Sequence, residues 1–128
     1  MRIAIVGSPR AGKTTLAYQL SVELKLPIFH TDDLIDLGWS AASESIAQQL
    51  AAATDPCIFE GVAVVRGLRK ALLLAPTSPV DRCLVLERPR IPLTRGQEVM
   101  RRGCATVLAN IEAELVRRGV ELVRMRMQ

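Results

Sequence analysis

Eight consecutive residues, Gly7-Ser8-Pro9-Arg10-Ala11-Gly12-Lys13-Thr14, have the types and spacing to hold a chain of phosphates. They match G-x-x-x-x-G-K-T/S at every fixed position. Gly7 and Gly12 let backbone N–H groups turn inward where a Cβ would clash. The resulting nest of amides cradles phosphate oxygens, and a helix starting at the loop points its positive end at the same anion. In such a loop Lys13 reaches the β- and γ-phosphates, and Thr14 offers its hydroxyl to Mg²⁺. The expected nucleotide-binding set is Gly7, Ser8, Pro9, Arg10, Ala11, Gly12, Lys13, Thr14 and Thr15. The expected cofactors are ATP and Mg²⁺. No Asn-Lys-x-Asp motif for reading guanine occurs.

A phosphate loop does not name a reaction. In open α/β sheets the remaining groups come from the carboxyl ends of the strands. Asp32 and Asp33 close the second strand-like run and Glu60 closes the third. Asp32 is assigned as general base or acceptor anchor. Glu60 is expected to hold Mg²⁺ through water or to contact the acceptor. Asp33 reads as the cap of a short turn through Asp36. His30 either touches the acceptor or makes a structural hydrogen bond. An arginine set follows the fourth strand-like run: Arg88, Arg90, Arg95, Arg101 and Arg102. Of these, Arg88, Arg90 and Arg95 are taken to stabilise charge on a transferring phosphoryl group. Lys13, Asp32, Arg88, Arg90 and Arg95 make up the expected catalytic set. Arg66 and Arg69, after the third strand, are placed to grip an anionic acceptor. Trp39 offers either a surface for an acceptor base to stack on or a packing anchor. Tyr18 reads as a packed or partly exposed ring.

The elements that must position these groups follow from periodicity. Short apolar runs alternate with helical patterns, which indicates an α/β protein with a parallel sheet. The strands are Arg2–Val6, Ile28–Thr31, Cys57–Glu60, Arg82–Leu86 and Val120–Met125. The first helix runs from about Gly12 to Leu24 with Leu16, Leu20 and Leu24 in a stripe. A second, Ala42 to Ala53, has Ser43 as its cap and Ile46 and Leu50 inward. The third covers Val65–Leu74 with Leu68 and Leu72 buried. The fourth runs from Thr94 to Arg118, with Val99, Gly103, Val107, Ile111 and Leu115 facing the core and Gly119 as its stop. Five strands and four helices fill residues 1–128 as a single domain, with a short arginine-rich lid around 88–102.

Composition bounds the class. Of 128 residues 49% are hydrophobic and 23% charged, enough apolar surface for one core and too little charge for disorder. Apolar runs such as Ile3–Val6 and Ala71–Ala75 are far short of a membrane span. The start, Met1-Arg2 and then a strand-like run, has no signal-peptide pattern, so the expected location is the cytoplasm. Cys57, Cys83 and Cys104 are far apart and form no metal or disulfide framework. Net charge is +4, and fourteen of the seventeen basic residues are Arg; the isoelectric point is about 9.4. Arginine suits phosphate, yet a basic chain also leaves nucleic-acid association open. Aromatic residues at 3% offer few stacking platforms for it.

Taken together, the motifs resemble the adenylate-kinase-like branch of the P-loop kinases, nearest to small topology-modulation and phage-type kinases. The matching segments are Gly7–Thr14, His30-Thr31-Asp32 with Trp39, Ile58-Phe59-Glu60-Gly61, and Pro89-Arg90 with Arg95. The resemblance spans nearly the whole chain, and its most specific part is the phosphate loop. It implies a three-layer sandwich with a five-stranded parallel sheet in the order 2-3-1-4-5 and helices on both faces. It implies a lid after strand four that closes over ATP. It further implies transfer of the γ-phosphate of Mg-ATP to a nucleoside, nucleotide or other small acceptor. Two departures stand out. Glu60 replaces the Asp common in such sequences, and the inserts that bind acceptors in nucleoside monophosphate kinases are nearly absent. A nucleotide-dependent binding or regulatory protein without a dedicated acceptor is the alternative.

Overall fold

The computed structural model describes residues 1–32, 34, 38–52 and 55–126. The elements run β1 (Arg2–Gly7), α1 (Lys13–Leu24), β2 (Ile28–His30), α2 (Trp39–Ala52), β3 (Cys57–Glu60), α3 (Val64–Leu74), β4 (Arg82–Leu86), α4 (Arg95–Arg117) and β5 (Glu121–Met125). All five strands pair in parallel in the order β2-β3-β1-β4-β5. Parallel neighbours need crossovers, and each helix here supplies one. Strand β1 is central, so its carboxyl end, where the phosphate loop begins, lies between the ends of β3 and β4.

Alternation along β1 divides the core. Ala4 and Val6 join Phe59, Cys83 and Val85 under α2, α3 and α4, with Ile46, Leu50, Leu68, Leu108 and Leu115. Ile3 and Ile5 face the other way with Ile58, Leu84 and Leu86, beneath Leu16 and Ala17 of α1. Gly67 of α3 meets α2 so closely that a Cβ would lie 2.5 Å from Ile46 Cγ2. No described helix is long and apolar enough to cross a membrane.

Four sequence expectations are corrected. Helix α2 starts at Trp39, not Ala42, because Ala42 N already donates to Gly38 O at 2.9 Å. Ser43 is therefore inside the helix and buried, its hydroxyl donating to Ser40 O at 3.1 Å. Val99 was expected in the core and is 66% exposed. A step of four residues drifts by about 40° per step on an α-helix, so a strict every-fourth stripe leaves the buried face. The buried residues of α4 are Cys104, Val107, Leu108, Ile111 and Leu115, and Gly103 is half-buried. The same drift puts Leu24 of α1 into solvent while Leu16 stays buried. The caps expected at Asp33 and the turn through Asp36 lie outside the described residues.

One arginine ties the end of the molecule remote from the loop. Arg118 donates to Leu72 O at 2.8 Å, Ala75 O at 2.6 Å and Thr77 O at 3.1 Å. It thus satisfies carbonyls that the end of α3 leaves without intrahelical partners.

Candidate active site

The chain leaves β1 at Gly7 and must turn at once into α1. Gly7 has φ of 139°, and a Cβ there would lie 1.9 Å from Leu86 O. The end of β4 therefore packs straight onto the turn, and Ser8 N donates to the same Leu86 O at 2.8 Å. Arg10 and Gly12 are both left-handed, at φ of 59° and 96°. That conformation is uncommon for a residue with a Cβ. Here a backbone bond from Arg90 N to Arg10 O at 2.8 Å holds it, which also ties the segment after β4 to the loop.

Lys13 opens α1 and is only 6% exposed. Its ammonium donates to Ser8 O at 2.6 Å and to Gly7 O at 3.5 Å. Burial pulls its pKa below the usual lysine range, and the charges of Asp32 and Glu60 act against that pull. A desolvated ammonium with two carboxylates in electrostatic reach is poised to gain from a polyanion.

Parallel register assembles the acidic side. His30 pairs with Glu60 across β2–β3, and Glu60 pairs with Ile5 across β3–β1. Glu60 is 2% exposed. Its Oε1 accepts from Thr14 Oγ1 at 3.1 Å and lies 2.9 Å from His30 Nδ1. His30 in turn lies 5.6 Å from the exposed Tyr18 ring, centroid to centroid. Thr31 Oγ1 donates to Glu60 O at 3.0 Å, and Asp32 Oδ1 accepts from Val62 N at 3.0 Å. Between them Gly61 has φ of 139°, and a Cβ there would lie 2.1 Å from Thr31 Oγ1 and 2.6 Å from Asp32 Oδ1. Only glycine lets the Asp32 segment rest on β3's end.

These groups line one cleft of about 550 Å³, walled by Arg10, Lys13, Thr14, Asp32 and Glu60. Val62, Gln97 and Met100 complete it, and sequence reasoning missed all three. Gln97 has a legible signal. Thr94 and Gln97 form a capping box, with Gln97 N donating to Thr94 Oγ1 at 3.2 Å and Thr94 N to Gln97 Oε1 at 3.0 Å. That box fixes where α4 begins and hence what its first turn presents to the cleft.

The arginines separate. Arg90 and Ile91 line a hollow of about 420 Å³ against Arg10 and Gly12. Arg88 faces the β5 side with Arg124 and Arg126. Arg95 is exposed on the first turn of α4 and lines neither the loop cleft nor the Arg90 hollow. Arg101 and Arg102 both pair with Glu98, with Nε to Oε1 distances of 3.1 and 3.4 Å. Residues 95–102 of the expected lid are thus the first turns of a helix.

The donors suit magnesium. Among the described residues no three His, Cys, Asp or Glu side chains cluster as a metal cage. Mg²⁺ on a nucleotide needs no such cage, since it keeps waters and uses one or two protein oxygens plus the phosphates. Thr14 Oγ1 is one such oxygen. Glu60 Oε2 is buried and without a hydrogen-bond partner, which fits an acceptor for a metal-bound water.

No family model matches the chain, and no curated protein matches it. Solved structures do. Shikimate kinase from Acinetobacter baumannii, in complex with shikimate, gives a TM-score of 0.57 at 14% identity, over 99% of this chain and 83% of that one. Shikimate kinase from Aquifex aeolicus gives 0.50 at 16% identity, over 96% and 85%. The fold is that of the P-loop kinases. In this P-loop kinase fold the β1–α1 loop and the ends of β2 and β3 form one continuous wall, the wall that Lys13, Asp32 and Glu60 occupy here.

Proposed function

We propose that the protein is a small-molecule kinase, transferring the γ-phosphoryl group of Mg-ATP to a hydroxyl or phosphate of a small acceptor. The observation that carries the reading is the shared cleft: Lys13, Thr14, Glu60 and Asp32 line it together. The amides of residues 7–15 and the Lys13 ammonium hold the β- and γ-phosphates. Thr14 and, through water, Glu60 hold Mg²⁺, which supplies charge neutralisation between the phosphates. Asp32 accepts the proton of the acceptor hydroxyl as its oxygen bonds to the γ-phosphorus and the bond to the ADP oxygen breaks. Arg90 is tied to the loop through Arg10 and neutralises charge on the nucleotide side. Arg88 and Arg95 reach the phosphates only when the segment after β4 closes. The fold shared with shikimate kinases supports a small acceptor and makes shikimate one compound to try.

The test is label transfer from γ-labelled ATP with Mg²⁺ to a panel of nucleosides, nucleoside monophosphates and hydroxylated metabolites including shikimate, with Lys13→Ala as blank. Label in one acceptor, lost in the blank, supports the kinase. Label only in free phosphate, or none, sinks it and favours a nucleotide-gated binding protein.

A further inference from the structure

Gly67 lets α3 pack tightly onto α2. On the other side of α3, between it and α4, a cavity of about 200 Å³ remains behind the first turn of the phosphate loop. Val6, Val65, Val85, Cys104 and Leu108 form its apolar wall, and Gly7 and Ser8 close one side. The exposed Glu87 and Ala105 and the half-buried Arg101 mark its mouth. It shares no lining residue with the phosphate cleft or with the hollow beside Trp39 and Arg66. Every polar side chain of the lining already has a partner. Ser8 Oγ donates to Pro9 O at 2.8 Å and Cys104 Sγ to Val62 O at 3.4 Å. Arg101 Nε donates to Glu98 Oε1 at 3.1 Å, and Glu87 Oε1 accepts from Arg124 Nε at 3.3 Å. Water in such a space finds too few polar partners, and an apolar cavity of about 150 Å³ takes up benzene instead. Arg101 and Glu87 bring one charge of each sign to the mouth, so neither an anion nor a cation is favoured. Burying an unpaired charge is costly, so the lining calls for one neutral ring.

We propose that this cavity is an effector site for a small neutral ring compound, and that its occupancy is felt at the phosphate loop. The link is Ser8. It lines the cavity, its N donates to Leu86 O at 2.8 Å, and its carbonyl accepts from Lys13 Nζ at 2.6 Å. An occupant packed behind Gly7 and Ser8 therefore touches the outer side of the turn whose amides receive phosphate. A ligand that restrains this turn changes the cost of ordering it for a nucleotide, and such coupling is reciprocal. The site requires no phosphoryl transfer and so stands apart from the kinase reading.

The probes are benzyl alcohol, benzoate and benzylammonium, which share one ring and differ in charge. Binding to the full chain is followed by ligand-observed NMR, and the loop by amide hydrogen exchange of residues 7–12. Benzyl alcohol is expected to saturate at concentrations about tenfold below either ion, since the ions must shed water to enter. It should also slow exchange in residues 7–12. Ala105→Phe, which puts a ring of the chain's own into the mouth from an exposed position, should abolish binding while thermal melting shows an intact fold. Ala105→Ser should keep it. Saturating Mg-ADP should leave the probe bound and shift its affinity by about fivefold or more, with the probe shifting Mg-ADP affinity by the same factor. Equal affinity for the ions, no saturable binding, or unchanged binding in a folded Ala105→Phe would overturn the proposal. So would full displacement by Mg-ADP, a Mg-ADP affinity that ignores the probe, or loop exchange that ignores it. Probe binding with slowed loop exchange in a chain that binds no Mg-ADP would leave the site standing and the nucleotide reading fallen. Phosphoryl transfer by a chain that takes up no benzyl alcohol would do the reverse.

Discussion

Thr14 Oγ1 and Glu60 Oε1 are joined by a hydrogen bond of 3.1 Å, although 46 residues separate them in the chain. The first residue pair of the phosphate wall is thus a helix start meeting a strand end across the β1–β3 ladder. The bond leaves Glu60 Oε2 buried and without a hydrogen-bond partner, and both residues line the same cleft.

Glu60→Gln keeps an acceptor for Thr14 and removes the negative charge beside it. The variant is expected to fold and to need about tenfold more Mg²⁺ for nucleotide binding, the scale seen for outer-shell metal partners. Magnesium titrations of ADP binding by calorimetry check this. An unchanged magnesium requirement would assign Glu60 a structural role only.

Asp32 is exposed, and one oxygen already accepts from Val62 N at 3.0 Å. Asp32→Asn retains that bond and loses the base. Turnover should fall by about 10²- to 10⁴-fold with little change in nucleotide affinity. Steady-state kinetics beside a nucleotide-binding curve separate the two effects, and an equal loss in both would argue against proton acceptance.

Gly61→Ala forces a Cβ into Thr31 Oγ1 and Asp32 Oδ1 at a φ of 139°. Strain at such a position costs about 1–3 kcal/mol. Urea unfolding should show that loss, and the displaced Asp32 segment should lower turnover further than stability alone explains. A fully stable and active variant would contradict the close packing described.

Glu114 accepts hydrogen bonds from Arg117 and Arg118, which push its pKa down from 4.5 to about 2. A carboxylate with a depressed folded pKa stabilises the fold above its unfolded pKa and loses that contribution as pH falls through the folded value. Wild type should therefore exceed Glu114→Gln in urea midpoint near neutrality, and the gap should close between about pH 5 and pH 2. Arg117 of this cluster is 70% exposed, so added salt should narrow the gap as well. Because Glu114 also orients Arg118, which caps the carbonyls at the end of α3, a gap that ignores pH would point to that cap instead.

The sequence alone determined the phosphate loop, because Gly7, Gly12, Lys13 and Thr14 act through local backbone geometry that eight residues suffice to specify. It determined the α/β class, and the strand bounds to within one residue, for the same reason: buried parallel strands read as short apolar runs between turn signals. The strand order came only with the family resemblance, since pairing is a long-range property. What the sequence could not carry is whatever depends on two distant segments meeting. The Arg10–Arg90 backbone bond, the 3.1 Å contact of Thr14 with Glu60 and the seating of Arg66 between Trp39 and Gly103 each join residues that periodicity treats as unrelated. The exposure of Val99 is a local effect, since an every-fourth stripe drifts by about 40° per step on an α-helix. Which face of α4 is covered, the one carrying Cys104, Val107, Leu108, Ile111 and Leu115, was decided by tertiary packing.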